Sequence, residues 1–588
     1  MSIFTMNINM DISLLGRKTE NSFLLYNKNE LILQKEFEGN VLLVIAKSSD
    51  KGFLHTGNRF IDFVRVGLLP NNQCYLTSAS SRLIYSVSPL GDSKEKVVIA
   101  DRTKVLGWET FDLIEIPEDK ATNHNEIIII KNAYFNSNNL LDVFRKIVTS
   151  DLKDKKNVLE NILELMSTSD LDMLSQYYLE NTNELEILAD ISDDKFFIES
   201  VNQIKNNEVR NYFVSNEMDF IADRKNLFSL SKNKWMHFNC YIRKQLKPKN
   251  KFCVVATSKN EGVYLLEWIA YYKHLGAGTI FIYSNGNDDG SDKLLKALHD
   301  AGEIRYIENQ VNAGCSAQNK AYTHALTINK EILEYEWSLF VDLDEYLTFN
   351  DSIFSSTHDF LDWHGKRDVN AIALNWIFSI PDIDGDWINI PITKRIKNFE
   401  KRTNGHIKSF IRPHFFSSSL PHHPVSIENF PFSYRTASGQ PHLKSKKYDS
   451  LSISDNPSNT HASILHFFNR TIPEFIWKYS RNRGDHPNVT DSSAFTESLL
   501  PFLKEFITAI DSKNITDSSS YFPKNIEIEV LINGLLENKH ICSAYLEVKN
   551  ETKRRYDMIY SLFWEFLDEQ RKNEKYKSDI EFFIERFH

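Results

Sequence analysis

Trp337-Ser338-Leu339-Phe340-Val341-Asp342-Leu343-Asp344-Glu345-Tyr346-Leu347 carries an apolar run into a pair of carboxylates and then turns apolar again. The residues ahead of Asp342 read as a buried strand. Strand side chains alternate, so Asp342 and Asp344 leave its end on one side while Leu343 points into the packing. Two carboxylates held so close repel each other unless a cation lies between them or solvent screens them. A hard divalent ion, Mg²⁺ or Mn²⁺, satisfies both and keeps positions open for phosphate oxygens. A lone DxD triplet is common on protein surfaces, so its meaning depends on its surroundings.

Upstream, Phe252-Cys253-Val254-Val255-Ala256-Thr257 reads as a strand, followed by the polar turn Ser258-Lys259-Asn260-Glu261. A helix follows, with Leu265, Leu266, Ile269 and Tyr272 on one face and a stop at Gly276. A second strand ends at Asn285, before the loop Gly286-Asn287-Asp288-Asp289-Gly290; a helix, a third strand and the helix Ala317-Gln318-Asn319-Lys320 lead to Trp337. Four strands alternating with three helices predict a parallel, doubly wound sheet, whose ligands bind at the carboxyl ends of the strands. The three polar clusters then share one rim. Neither GxxxxGK[ST] nor GxGxxG occurs, which removes the key element of NTPase and dinucleotide readings.

On these stretches, residues 252–350 resemble the glycosyltransferases related to families 2 and 92, of GT-A fold. Weaker matches are Asn375-Trp376 with Phe378, Lys408 with Arg412-Pro413, and His466-Phe467 followed by Phe475, Lys478 and Arg483-Gly484-Asp485. The resemblance implies that Asn260, Glu261, Asp288 and Asp289 hold the nucleoside and that Asp342 and Asp344 hold metal and diphosphate. Thr257, Asn285 and Gln318, on the same rim, join the expected donor site, and Lys408 and Arg412 are candidates for the diphosphate. His466 is the candidate third metal ligand, set against a plain core histidine. The reaction implied is sugar transfer from a nucleoside diphosphate, UDP being the expected donor, to a hydroxyl of a glycan or other acceptor, with inversion. Inversion needs a base, and Asp382, Asp384 and Asp386 in one loop are candidates among which the sequence does not choose. Ser284 and Ser379 depart from the family pattern, leaving base preference and acceptor-loop shape open. The alternative is an inactive transferase fold that binds glycans or serves as a scaffold. On the metal reading, Asp344→Asn removes activity and spares the fold.

Elsewhere, short apolar runs separated by Gly, Asn and Ser predict an all-β module over 1–120. Residues 74–116 resemble a fascin-like β-trefoil repeat, with Gly107-Trp108-Glu109-Thr110-Phe111 closing a lobe. Residues 121–245 read as a helical connector, 246–495 as the GT-A domain with a mixed sheet, and 496–588 as a helical C-terminal region. Its stripe Ile559, Leu562, Phe563 and Phe566 packs on a neighbouring domain or leaves oligomerisation open. The Ser-rich stretch 433–463 predicts a lid or insert. The chain has 588 residues, too many for one core, and a net charge of −10 that argues against nucleic acid as a partner. Five scattered cysteines fit a reducing cytoplasm. With no apolar run of membrane-spanning length, a cytoplasmic place is expected, contact with the inner face of a membrane left open.

Overall fold

The structure, a computed structural model, describes residues 10–17, 22–27, 30–34, 42–46, 50–55, 59–70, 73–89, 96–104, 109–115, 125–205, 212–382, 386–480, 495–512, 514–517 and 525–588. It contains two compact units, Met1–Val201 and Asn202–His588.

In the first unit, ten antiparallel strands run from Met10–Arg17 to Phe111–Glu115. The first strand pairs with Ser22–Asn27, Leu42–Ala46 and Phe111–Glu115, so the sheet returns on itself. Buried and half-buried residues alternate along Gln73–Ser78, the period that turns one face inward, and Leu54, Val64, Leu76 and Phe111 share that core. Of the stretch quoted as closing a trefoil lobe, Gly107 and Trp108 lie outside the described residues, while Glu109 and Phe111 are buried. The stretch read as a connector divides. Helices such as Leu140–Thr149, whose Val143, Phe144 and Ile147 face inward, belong to the first unit, whereas Arg224–Leu230 and Lys234–Lys244 belong to the second.

The second unit is built on a sheet of β1 (Phe213–Val214), β2 (Asn250–Ser258), β3 (Ile280–Ser284), β4 (Arg305–Asn309), β5 (Tyr335–Phe340), β6 (Glu345–Phe349), β7 (Ala371–Phe378), β8 (Ile407–Ile411), β9 (Tyr434–Thr436) and β10 (Ala462–His466). The order is β1-β4-β3-β2-β5-β8-β7-β10-β6, with β9 beside β7. β1 to β5 pair in parallel, and β8 runs antiparallel to β5 and β7. The expected mixed, doubly wound sheet follows from the alternation along β2. Phe252, Val254 and Ala256 pack in one apolar cluster with α1 (Gly262–His274) and α2 (Ser291–Asp300), while Cys253 and Val255 pack in another with α3 (Ala317–Thr327).

α1 is buried all round from Gly262 to Tyr272, not only on the face legible in the sequence. Its outer side is covered by α5 (Asn525–Leu536) and α6 (Lys539–Gln570), whose Ile528, Leu535, Ile541, Ala544 and Val548 join the same cluster. Further along α6, Phe563, Trp564 and Leu567 are the buried residues, packed with Phe475 of α4 (Ile472–Tyr479); Leu562 is exposed, which corrects the expected stripe. The Ser-rich stretch is no free lid. β9 pairs with β7, buried His442 bonds to the Leu451 carbonyl at 2.9 Å, and Ser445 donates to Asp455 at 2.5 Å. Among the described residues, no helix is long and apolar enough to cross a membrane.

Candidate active site

β5 ends at Phe340, and the chain turns through Asp342-Leu343-Asp344 into β6. The turn is held from within, by Asp342 N–H donating to Glu345 Oε2 at 2.9 Å and Trp268 Nε1–H donating to the Asp342 carbonyl at 3.1 Å. Each carboxylate then finds its own cations. On Asp342, Lys408 of β8 donates to Oδ2 at 2.8 Å and Gln318 of α3 donates to Oδ1 at 2.6 Å. Asp344 faces β10 and α4: its Oδ2 lies 3.1 Å from both Arg470 and Lys478, and its Oδ1 lies 3.4 Å from His466 Nε2. The repulsion between neighbouring carboxylates is thus relieved by side-chain cations, Lys408 and Arg470 buried and Lys478 half-buried.

Protonation follows from the same neighbours. Burial alone would raise Asp344, yet Lys478, His466 and Arg470 outweigh it and hold its carboxyl well below the usual range. Glu345 goes the other way: burial, against the pull of Lys408 3.4 Å away, pushes it well above. Burial would lower Lys408, but Asp342 and Glu345 keep it charged. Burial holds the His466 imidazole below its ordinary value in spite of Asp344, so the ring is neutral near pH 7.

The fit of a divalent ion can be tested on these atoms. Two ligands on adjacent positions of a small octahedral cation stand about 3 Å apart, given metal–oxygen bonds of about 2.1 Å. Asp344 Oδ1 and His466 Nε2 at 3.4 Å meet that spacing. Behind them, His466 Nδ1 and Glu345 Oε1 are buried without hydrogen-bond partners, 3.9 Å apart, an arrangement of the kind that orients a metal-bound histidine. Asp342 is engaged by Lys408 and Gln318, and among the described residues no three His, Cys, Asp or Glu side chains close on one point. The residues fit a two-ligand site, Asp344 and His466, completed by substrate oxygens and water, as Mg²⁺ sites commonly are.

The other rim clusters separate into open and closed groups. Asp289 is fully buried and accepts from Gly262 N–H and Ser291 N–H, each at 3.0 Å, tying the starts of α1 and α2 together. Both oxygens are spent on backbone, so its expected nucleoside role is withdrawn. Asn260 is structural in the same way: it adopts a left-handed φ of 53°, its side chain accepts from Asp288 N–H at 2.9 Å, and its carbonyl accepts from Trp477 Nε1–H at 3.0 Å. Glu261 is buried beside it and Thr257 half-buried at the end of β2. Asp288 is exposed and paired with Arg555 of α6. Asn285 lines a pocket of about 490 Å³ with Ser284, Asp292, Tyr306, Glu308 and Asn309.

Arg412 is a correction. β8 runs antiparallel to β5, so Lys408 lies at the Asp342 end and Arg412, four residues and about 13 Å further along, at the other. There it pairs with Glu336 at 3.0 Å and covers the Trp337 ring. Of the three loop carboxylates, Asp384 lies outside the described residues, Asp382 is exposed, and Asp386 is exposed and bonded to Asn389 Nδ2 at 2.7 Å.

Beside the Asp342 turn, Trp376 at the end of β7 stacks on His406 with centroids 5.1 Å apart and meets His466 edge-on at 4.4 Å and His422 at 5.3 Å. Phe378 and Phe468 complete this aromatic wall.

Residues 251–482 match the model of glycosyltransferase family 92. A glycosyltransferase family 92 protein of Arabidopsis thaliana is 26% identical over 186 residues, covering 29% of this chain and 30% of its own length. One of Oryza sativa subsp. japonica is 28% identical over 110 residues, 18% of each chain, and one of Ricinus communis 29% over 97 residues, 16% of this chain and 17% of its own. The chain spans less than a third of the length of these curated relatives. The matches support a glycosyltransferase role for the second unit. The matched segment holds β2 to β10 and α1 to α4, and therefore both carboxylates, Lys408, His466, Arg470 and Lys478, whereas β1, α5 and α6 lie outside it.

Sequence reading missed Arg470, Glu345 and His406 as parts of the site. Glu345 is adjacent to Asp344, and a third acid against an apolar strand was the available signal. Arg470 and His406 carry none, since only the return of β8 and β10 to the end of β5 brings them near. Gln318 was found, but it orients Asp342 through its 2.6 Å bond.

Proposed function

We propose that the second unit is a metal-dependent glycosyltransferase that moves a sugar from a nucleoside diphosphate, UDP, to a hydroxyl of a glycan acceptor, with inversion. The observation that carries this reading is the convergence of Asp344, His466, Arg470, Lys478 and the Asp342–Lys408 pair at the carboxyl end of β5, on the rim shared with the pocket at the ends of β3 and β4. A pocket of about 490 Å³ has room for a nucleoside. Its wall is set in part by Asn309 Nδ2, which donates to Asn285 Oδ1 at 2.9 Å.

Asp344 and His466 would hold Mn²⁺ or Mg²⁺. When bound, that ion supplies Lewis-acid stabilisation of the charge on the leaving diphosphate. Lys478, half-exposed beside Asp344, supplies a further fixed positive charge to the same phosphates. Lys408 holds Asp342 in place, and Trp376 with Phe378 offers a flat apolar surface for a sugar face. The first unit, with its trefoil-like sequence, we assign to acceptor binding.

Isothermal titration of UDP, GDP and their sugars, with and without Mn²⁺, tests the reading. UDP binding strengthened by Mn²⁺, with release of UDP on adding a glycan, is expected. Tight binding of glycan with no nucleotide binding would favour the scaffold alternative instead.

A further inference from the structure

We propose that His406 is the general base that takes the proton from the acceptor hydroxyl, a role resting on the glycosyltransferase reading above. His406 stands immediately before β8 and two residues from Lys408, so both side chains lie on the face of the sheet that carries Asp342. Its backbone carbonyl accepts from Trp376 N–H at 3.0 Å, which fixes it beside the Trp376 indole.

The tautomer follows from its partners. Asn404 Oδ1 accepts the backbone N–H of His406 at 2.9 Å, which identifies that atom as the amide oxygen, and the same oxygen lies 2.8 Å from His406 Nδ1. An amide oxygen only accepts, so the ring proton is on Nδ1 and Nε2 carries a lone pair. Nε2 makes no hydrogen bond among the described residues. Asn404 is itself pinned, its N–H donating to the Trp376 carbonyl at 2.8 Å and its carbonyl accepting from Asn375 Nδ2 at 3.2 Å. A base held by a third group, with its other nitrogen unbonded among the described residues, is the arrangement that nucleophile activation requires.

The titratable groups around it are consistent with a neutral ring. Lys408 lies on its own strand, His422 on the following loop with rings 6.1 Å apart, and His466 on β10 beyond Trp376. The segment bridged to His406 at Ile453 presents Ser452 and Ser454. Burial lowers the His406 imidazole from its ordinary value, so it is unprotonated at neutral pH. His422 donates its Nδ1 proton to the Ile407 carbonyl at 2.9 Å, and burial with Lys408 lowers it to about 3, too weak a base for the task.

In the step itself, the acceptor O–H bond breaks and its proton passes to Nε2. The oxygen electron pair forms the new bond to the anomeric carbon as the bond to the diphosphate oxygen breaks, and its pair leaves with the nucleoside diphosphate. The imidazolium then returns the proton to solvent. Asp382 and Asp386, two of the three acids offered by the sequence, are exposed.

The test measures transfer from UDP-hexoses against pH for wild type, His406→Asn and Asp384→Asn, with UDP affinity by calorimetry. His406→Asn should lower kcat by about 10²- to 10⁴-fold, leave UDP affinity and donor KM unchanged, and abolish the fall in kcat/KM that wild type shows on the acid side, at a pH below the ordinary imidazole value. Added imidazole should restore part of the activity of His406→Ala. Retention of the acid limb in His406→Asn, or its loss in Asp384→Asn instead, would overturn the assignment while leaving the donor reading intact. Wild type that binds neither UDP nor GDP would overturn the donor reading first, and the base with it.

Discussion

At the scale of the residue, Asp344 is the position where charge accounting matters most. It is buried against Arg470 and Lys478, so replacing it removes the carboxylate that both cations share, Arg470 keeping Glu474 and Glu261 as its other acidic neighbours. Breaking a buried pair in this way costs about 3–5 kcal/mol. Asp344→Asn should therefore lose stability by that order in urea denaturation as well as losing turnover by 100-fold or more, the latter from the several kcal/mol of transition-state stabilisation a Lewis acid supplies. The expectation from sequence, a fold left intact, assumed that Asp342 was the main neighbour; the cations reverse the sign. Lys408→Met should be destabilising by a similar mechanism, because fully buried Lys408 balances Asp342. A melting temperature unchanged in both variants would show that solvent, not these pairs, carries the charge.

At the scale of the element, α4 is fixed at its start by Glu474. Its carboxylate receives Arg395 in bidentate fashion at 2.8 and 2.9 Å, closes a capping box with Thr471 and accepts from Tyr264 of α1 at 2.9 Å. Burial would raise Glu474, but Arg395 and Arg470 hold it below its ordinary value. A folded pKa below the unfolded one, about 4.3, means that the stabilisation is complete above that pH and is lost as pH falls through the lower, folded value. The stability difference between wild type and Arg395→Met should thus be largest near neutrality and shrink in acid below about pH 4. α6 docks on the start of α1 in an equally specific way. A Cβ on Gly262 would meet Val548 Cγ1 at 2.5 Å and Ser291 Oγ at 2.6 Å. Gly262→Ala should cost about 1–3 kcal/mol by overpacking, and Val548→Ala in the same chain should recover part of it. Simple additivity of the two changes in a double-mutant cycle would mean that α6 does not press on this turn.

At the scale of the molecule, the matched segment 251–482 is not a folding unit by itself. α1 is buried on every side, and α5 and α6, beyond residue 482, cover the side the sheet does not. β1 adds to the edge of the sheet at β4, and Asp219 pairs with fully buried Lys320 at 2.7 Å. A fragment of residues 202–588 should unfold in one cooperative transition and keep UDP binding, while a fragment of residues 251–482 should be aggregated or unfolded by circular dichroism and gel filtration. With the first unit removed, transfer to a long glycan should fall while UDP-sugar hydrolysis persists; equal transfer by both would leave that unit a structural role.

The sequence by itself determined the alternation of strand and helix from Phe252 to Leu347, and with it the rim on which Ser258–Glu261, the Gly286–Gly290 loop and Asp342–Asp344 stand, because hydrophobic period and turn residues are local properties of the chain. It also singled out His466 and Lys408, through resemblance. What it could not reach depends on which strands return to the end of β5. The antiparallel entry of β8 places Lys408 and His406 at the site and carries Arg412 away from it, a matter of strand direction that composition does not encode. The closed hydrogen bonding of Asp289, the burial of α1 beneath α5 and α6, and the three cations that share out Asp342 and Asp344 all arise from contacts between residues far apart in the chain. Only tertiary structure decides them, because a side chain's charge state and free hydrogen-bonding capacity are set by the neighbours that folding brings to it.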